Sequence, residues 1–531
     1  MSQAVRAVPT SIDSTIAELR RVLGASFVLT DEADRRFYSQ DVYRSGELPA
    51  AVIQPGTVEE LSAALRVVAS AGLPIVPRGG GMSYTDGYLP SQPNSISIDM
   101  LRLNRIVTIN PDDCYVTVEC GSTWKDLADA LAPRGVRTPY WGPLSGVKSS
   151  IGGALSQGSI FLGSGRYGAA ADSVIGLDVV LVDGTVLHLG SHANGRGQPF
   201  LRQFGPDTMG MFLSDCGALG IKTRATFRLV KILPETRHIS FGFDGPDAMF
   251  AAIAEVARQE IVSESFGFDP GLQNQRMKRT SLKADAKALG NVMKAAGGKL
   301  AGLKEGAKVV LAGRNFLNDA KFSAHLSFDG RDAADVESKV AVARGILSRA
   351  GREVENTIPK VMRANPFAEV NSMLGPNGER WVPVHGTVPF SKAATMFAAL
   401  DSVFAKHADA MARLEIDHGY LFATVGVVGT LIEPVFFWPD ERLAFHERVL
   451  DHDYLAKLPK YPANLPAREL VMRIRDELAV CFMEHGAVSF QLGKFYKFQE
   501  GLEPSAAGFL QQLKSLVDPH NRMNPGTLGL K

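Results

Sequence analysis

The chain has 531 residues, enough for two or three domains of ordinary size. Apolar residues make up 45% and charged residues 21%, which excludes a disordered or fibrous chain. Lys and Arg total 57 against 56 Asp and Glu, and a net charge of +1 excludes a global attraction to nucleic acid or lipid.

In chain order, Ile12, Ile16, Leu19 and Leu23 stand at helical spacing and predict a first helix over Ser11–Leu23. Ala51–Gln54 predicts a short buried strand. Thr57 with Glu60 three residues on is a capping-box pattern, opening a helix over Val58–Ala71 that Gly72 ends. Pro74–Pro77 predicts a strand running into the loop Arg78-Gly79-Gly80-Gly81-Met82-Ser83. Strands at Ser95–Asp99, Ile106–Ile109 and Tyr115–Glu119 and a helix from Thr123 to Leu131 follow. A Gly/Ser-rich segment, 145–168, precedes strands at Val174–Val182 and Thr185–Leu189, with Asp183-Gly184 between them as a hairpin signal. A strand at Lys222–Leu229 closes this block, and Pro234 marks a boundary. From about residue 236 longer helices (Asp247–Ile261, Ala333–Ala350, Ser391–His407) alternate with strands at Phe322–Phe328, Val382–Val388 and Tyr420–Phe437. That texture predicts an α+β domain, an antiparallel sheet with helices on one face. The tail carries a helix at Ala506–Val517, then the segment 518–526.

Three glycines after a strand let backbone amides approach an anion, and a pyrophosphate is the natural guest; a plain tight turn is the alternative. No GxGxxG follows a strand here, and Val147 separates Gly146 from Lys148, so neither a Rossmann nor a Walker loop is present. A second small-residue loop at 149–159 can grip one long cofactor together with the first. The four cysteines, Cys114, Cys120, Cys216 and Cys481, form no CxxC pair or zinc-finger pattern. Neither a disulfide scaffold nor a metal site is expected, and the thiols read as reduced in a cytoplasmic protein. No signal peptide and no membrane-spanning run is evident.

Taken together and in order, QPGTVEEL, PRGGGMSYTDG, VECGSTWKDL, SSIGGALSQGS, RYGAAADSVIGLDVVLVDGTV, GALGIKTRATFRL and the terminal DPHNRMNPG resemble the vanillyl-alcohol-oxidase/p-cresol-methylhydroxylase (PCMH-type) superfamily of FAD-linked oxidoreductases. The resemblance implies an FAD-binding domain of two α+β subdomains, at 48–235, and an α+β cap domain with an antiparallel sheet, at 236–490. An N-terminal helical segment (1–47) would precede them, and a C-terminal segment (491–531) would return to the FAD site. It implies that Arg78, Gly79, Gly80, Gly81, Met82 and Ser83 hold the pyrophosphate. Pro143, Ser150, Gly152, Gly153, Gly158 and Ser159 would line the flavin and ribityl stretch. Ile221 would meet the adenine end or the ring system through its backbone, and Asn524 would approach the flavin from the tail. Many relatives attach FAD through a His in the first loop; Met82 stands there, so non-covalent FAD is expected. Phe490-Gln491 stands where phenol-oxidising relatives carry Tyr-Arg, and the HxHxGDGN-type metal segment of several 2-hydroxy-acid dehydrogenases is missing.

Removing a hydride from an alcohol carbon also requires a group that takes the hydroxyl proton. Polar residues interrupting apolar cap strands are the candidates: His385, His418, Glu433, Lys494 and Tyr496, with Glu433 and Lys494 alternatively an internal ion pair. Tyr140 and Trp141 can form an aromatic wall. A basic insertion, 276–308, carries nine Lys/Arg with an apolar side, so contact with the inner face of a membrane and a quinone, cytochrome or oxygen as electron acceptor enter the reading; a solvated lysine-rich helix is the alternative. The expected activity is an FAD-dependent dehydrogenase of an alcohol or 2-hydroxy acid, with an oxygen-using oxidase of an aromatic, lignin-type alcohol as the rival.

Overall fold

In the computed structural model, which describes residues 11–278, 321–367 and 369–531, Thr57 caps its helix as the spacing predicts. Thr57 Oγ1 accepts from Glu60 N at 3.1 Å, and the Glu60 carboxylate accepts from Gly56 N at 2.7 Å. The helix Val58–Ser70 buries Val58, Leu61, Leu65 and Val68 between the sheet below and the helix Ile12–Leu23. That sheet has four strands in the order Val28–Leu29, Ala51–Ile53, Ile96–Asp99, Ile75–Arg78, the last three parallel. Their apolar side chains are buried on both faces, as a covered parallel sheet requires. The C-terminal tail extends this sheet: Ile75 N donates to Arg522 O at 2.8 Å and Asn524 N to Ile75 O at 2.7 Å.

A second sheet is antiparallel, ordered Ile106–Asn110, Tyr115–Glu119, Ile221–Arg228, Val174–Val180, Val186–Gly190. Its last two strands turn at Asp183-Gly184, where Gly184 takes φ +81°. Val230–Lys231 pairs with Val136–Arg137, and beyond Pro234 the strand Glu235–Phe243 joins a different sheet of eight strands.

This third sheet is wholly antiparallel, ordered Arg352–Val354, Glu235–Phe243, Phe322–Gly330, Glu264–Phe268, Asp417–Val425, Gly429–Trp438, Arg380–Pro383, with Gly386–Pro389 also on Gly429–Trp438. The helices Pro246–Ala257, Ala333–Leu347, Ala393–Arg413 and Leu465–Glu484 share one apolar core with Phe241, Leu326, Phe422 and Phe436. The alternate residues Phe266, Phe268, Leu421, Leu431, Val435 and Phe437 form the other face, packed on Phe161 and Phe490. The run Val382–Val388, expected as one strand, is two strands with His385 between them. The basic insertion falls, from residue 279 on, outside the described residues. Among the described residues no helix is long and apolar enough to cross a membrane.

Candidate functional site

The strand Ile75–Arg78 delivers the first glycine loop against the second. A Cβ on Gly79 would lie 2.0 Å from Ser150 Oγ, and one on Gly80 would lie 1.9 Å from the Lys148 carbonyl oxygen. These two glycines are therefore demanded by the contact of one loop with the other. Ser150 Oγ accepts from Gly153 N at 3.2 Å and caps the helix Ile151–Gln157. Among the described residues, none accepts a hydrogen bond from the amides of Gly79 through Ser83. A run of such amides is the donor set a phosphate group takes.

Arg78 is held from behind by the N-terminal segment. Its Nη1 donates to the carbonyls of Phe37 at 3.2 Å and Gln40 at 3.1 Å, and its guanidinium packs among the rings of Phe37, Tyr38 and Tyr88. Nη1 is thereby tied to the N-terminal segment, while Arg78 still lines the cleft beside the loop's amides.

Between the loops lies a cleft. Arg78, Gly79, Gly80, Gly81, Met82, Ser83, Pro143, Ser150, Gly152, Gly153, Ser159 and Ile221 line it together. Gly158 and Asn524 stand behind the wall. Gly158 ends the helix Ile151–Gln157 at φ +65°. Asn524 Nδ2 donates to the carbonyls of Gly87 at 2.7 Å and Cys216 at 2.9 Å, two residues that do line the cleft. Gln157, Cys216, Lys222 and Gln491 are further lining residues. Gln157 and Lys222 lie inside the motifs SSIGGALSQGS and GALGIKTRATFRL, Lys222 held by a buried ion pair with Asp215 (Nζ to Oδ1, 2.5 Å), whereas turns bring in Cys216 and Gln491. The small walls, the unpaired amides and the buried, unpartnered Gln491 Oε1 fit a dinucleotide such as FAD.

The eight-stranded sheet sets a second cluster beside Gln491. Pro383 faces Val435 and Gly386 faces Ile432, so the register runs unbroken and His385 stands opposite Glu433. His385 Nε2 lies 2.6 Å from the Phe490 carbonyl and so carries the proton, because a carbonyl only accepts. That leaves Nδ1 unprotonated, without a hydrogen-bond partner and 4.0 Å from Glu433 Oε2. Burial pushes His385 down to about 3, keeping the ring neutral. Tyr84 Oη donates to Glu433 Oε2 at 3.3 Å and accepts from Gln491 Nε2 at 3.3 Å. Tyr496 Oη donates to His385 O at 3.0 Å and accepts from His385 N at 2.8 Å, fixing the backbone of the histidine.

His385, Glu433 and Tyr496 are thus brought together; His418 and Lys494 are not. His418 stacks on Phe404 with centroids 3.9 Å apart, on the helix-covered face, because it is one residue out of phase with Leu421, the partner of Glu433. Lys494 Nζ donates to Leu89 O at 2.5 Å, and burial pushes its amine down to about 7. Tyr84, which follows the first glycine loop directly, is the site residue that the polar-in-strand pattern passes over.

Residues 49–190 match the family model of an FAD binding domain. An uncharacterized FAD-linked oxidoreductase of Escherichia coli (strain K12) is 30% identical over 43% of this chain and 47% of its own length. This chain therefore spans about half of that relative. A probable mitochondrial D-lactate dehydrogenase of Danio rerio is 25% identical over 99% of this chain and 93% of its own. The solved structure of p-cresol methylhydroxylase with substrate bound superposes at a TM-score of 0.74 and 16% identity, covering 98% of this chain and 97% of that one. Residues 49–190 thus carry an FAD binding domain, and over nearly its whole length the chain has the fold of p-cresol methylhydroxylase.

Proposed function

We propose that the protein is an FAD-dependent dehydrogenase that converts the CH–OH group of an alcohol or 2-hydroxy acid to a carbonyl and passes the electrons to a separate acceptor. FAD, when bound, supplies the hydride acceptor. The observation that carries the reading is the pair His385 and Glu433, side by side on the sheet face that meets the FAD-binding domain. A substrate hydroxyl between them gives up its proton to Glu433 or to the free lone pair of His385 Nδ1 as the C–H bond breaks. Tyr84, itself held by Gln491, donates to the Glu433 carboxylate at its working oxygen. Phe161, Phe266, Phe490, Leu431 and Val435 keep water out. The amides of Gly79–Ser83 would hold the cofactor's phosphates, and Pro143, Ser150, Gly152, Gly153, Ser159 and Ile221 its remaining length. Met82 in place of a histidine supports non-covalent attachment.

The D-lactate dehydrogenase named among the relatives supports a 2-hydroxy acid. The aromatic lining supports the second reading, an oxygen-using oxidase of an aromatic alcohol. Anaerobic bleaching of the bound flavin against D-lactate, other 2-hydroxy acids and aryl alcohols tests both. One class is expected to bleach it, Glu433→Gln to slow bleaching about a hundredfold with flavin content unchanged, and hydrogen peroxide to accompany aerobic turnover only in the oxidase. A Glu433→Gln variant that is reduced at the wild-type rate removes the assigned proton acceptor.

A further inference from the structure

Asp178 and His188 face each other across the hairpin of Val174–Val180 and Val186–Gly190, and His192 follows in the turn Ser191–Ala193. None of the three lines the cleft. Both imidazoles aim Nδ1 at the same carboxylate oxygen: His188 Nδ1 is 2.8 Å and His192 Nδ1 3.1 Å from Asp178 Oδ1, with ring centroids 4.5 Å apart. The three donor atoms all lie within 4.8 Å of one another. Bonds of about 2.0–2.2 Å to a tetrahedral ion set its donors roughly 3.3 Å apart, so small ring rotations admit one. Two imidazoles and one carboxylate suit zinc and its neighbours, whereas magnesium and calcium prefer oxygen ligands throughout. The Asp178 side chain is 6% exposed against 45% for His188 and 35% for His192, so the carboxylate is fixed while solvent reaches a fourth position. Arg224 Nη1 stands 4.0 Å from Asp178 Oδ2, on the oxygen that the histidines do not use.

We propose that Asp178, His188 and His192 form a binding site for one transition-metal dication of the zinc type. Without metal, an ionised carboxylate can only accept, so each ring donates an Nδ1 proton to it. On binding, each neutral ring carries its proton on Nε2 and turns the Nδ1 lone pair to the ion. The strand holding Asp178 is hydrogen-bonded to Ile221–Arg228, whose first residue lines the cleft, so the ion braces the hairpin behind that wall.

The full-length flavoprotein, freed of metal with EDTA and exchanged into metal-free buffer, is titrated with zinc against a chromogenic zinc indicator. The wild type is expected to take one equivalent with micromolar affinity, undisturbed by excess magnesium, and its Tm to rise with zinc. His188→Ala and His192→Ala are each expected to weaken binding about tenfold or more and to abolish the Tm rise, with flavin content unchanged. His192→Gln, at a partly exposed position, gives the same reading should an alanine variant fail to fold. A wild type that takes up no zinc below millimolar concentration, or variants that keep the wild-type isotherm, would overturn the site.

Discussion

A methyl group on Gly80 would lie 1.9 Å from a backbone carbonyl, that of Lys148, and a carbonyl cannot swing aside as the end of a side chain can. Gly80→Ala must therefore part the two loops that frame the cleft. The expected result is a fall in the flavin-to-protein absorbance ratio together with a loss of roughly 1–3 kcal/mol of stability; a fully loaded variant would show that the loops need not touch. His385 makes a pH-dependent contribution of definite sign. Its value is about 3 in the folded chain against 6.5 for an ordinary imidazole. Between those limits the unfolded chain binds a proton that the folded chain refuses, so stability falls as pH falls, by ~1.4 kcal/mol per pH unit for this one group. Denaturant unfolding of His385→Asn at pH values from 6 down to 4 is expected to show a correspondingly shallower pH dependence than the wild type. The glycine loops are legible in sequence because each is a local run. The fate of Arg78 is not, because the Phe37 and Gln40 carbonyls that take its guanidinium come from a segment no local pattern joins to it.

At the level of elements, the capping box of Thr57 and Glu60 and the Asp183-Gly184 hairpin can be read directly, since each is decided by neighbours within a few residues. The strands around His385 and His418 behave differently. Pro383 and Pro434 lie almost opposite each other and interrupt the ladder, because proline offers no N–H, and the run containing His385 divides there. Both histidines interrupt apolar strands, yet one meets Tyr84 of the FAD-binding domain and the other packs under a helix, a distinction fixed by pairing register rather than by composition. The tail shows the same dependence on distant partners. Met523 pairs beside Ile75 and places Asn524 where its amide satisfies the Gly87 and Cys216 carbonyls. Asn524→Ala leaves both without that donor, at about 1–3 kcal/mol for each buried group. Thermal melts are expected to show the lower stability, and FAD titration of the apoprotein a weaker affinity; an unchanged FAD isotherm would confine Asn524 to the fold.

Across the whole molecule, the cleft and the cluster around His385 work together only if the two large sheets keep their relative position. A buried ionic network spans them. Arg137 and Trp141 lie within residues 49–190; Glu264 and Asp329 lie on the eight-stranded sheet and Arg363 on the helix Thr357–Ala364. Asp329 accepts from Arg137 Nη2 at 3.2 Å and Arg363 Nη2 at 2.6 Å, while Glu264 accepts from Arg363 and from Trp141 Nε1. Burial alone would raise the Asp329 carboxyl, but the two guanidiniums hold it below the usual carboxylate range. Asp329→Ala leaves two largely buried cations short of an anion, at a cost of about 3 kcal/mol. Because the lost contacts join the sheets, the damage belongs to their docking more than to either core. With flavin fluorescence and far-UV circular dichroism followed on one temperature ramp, the wild type is expected to release flavin as its backbone unfolds. In Asp329→Ala, flavin release is expected to come first, at a lower temperature than the loss of secondary structure. Coincident transitions at the wild-type midpoint would show that the apolar contact of Phe161 and Phe490 with the eight-stranded sheet suffices to hold the two parts together.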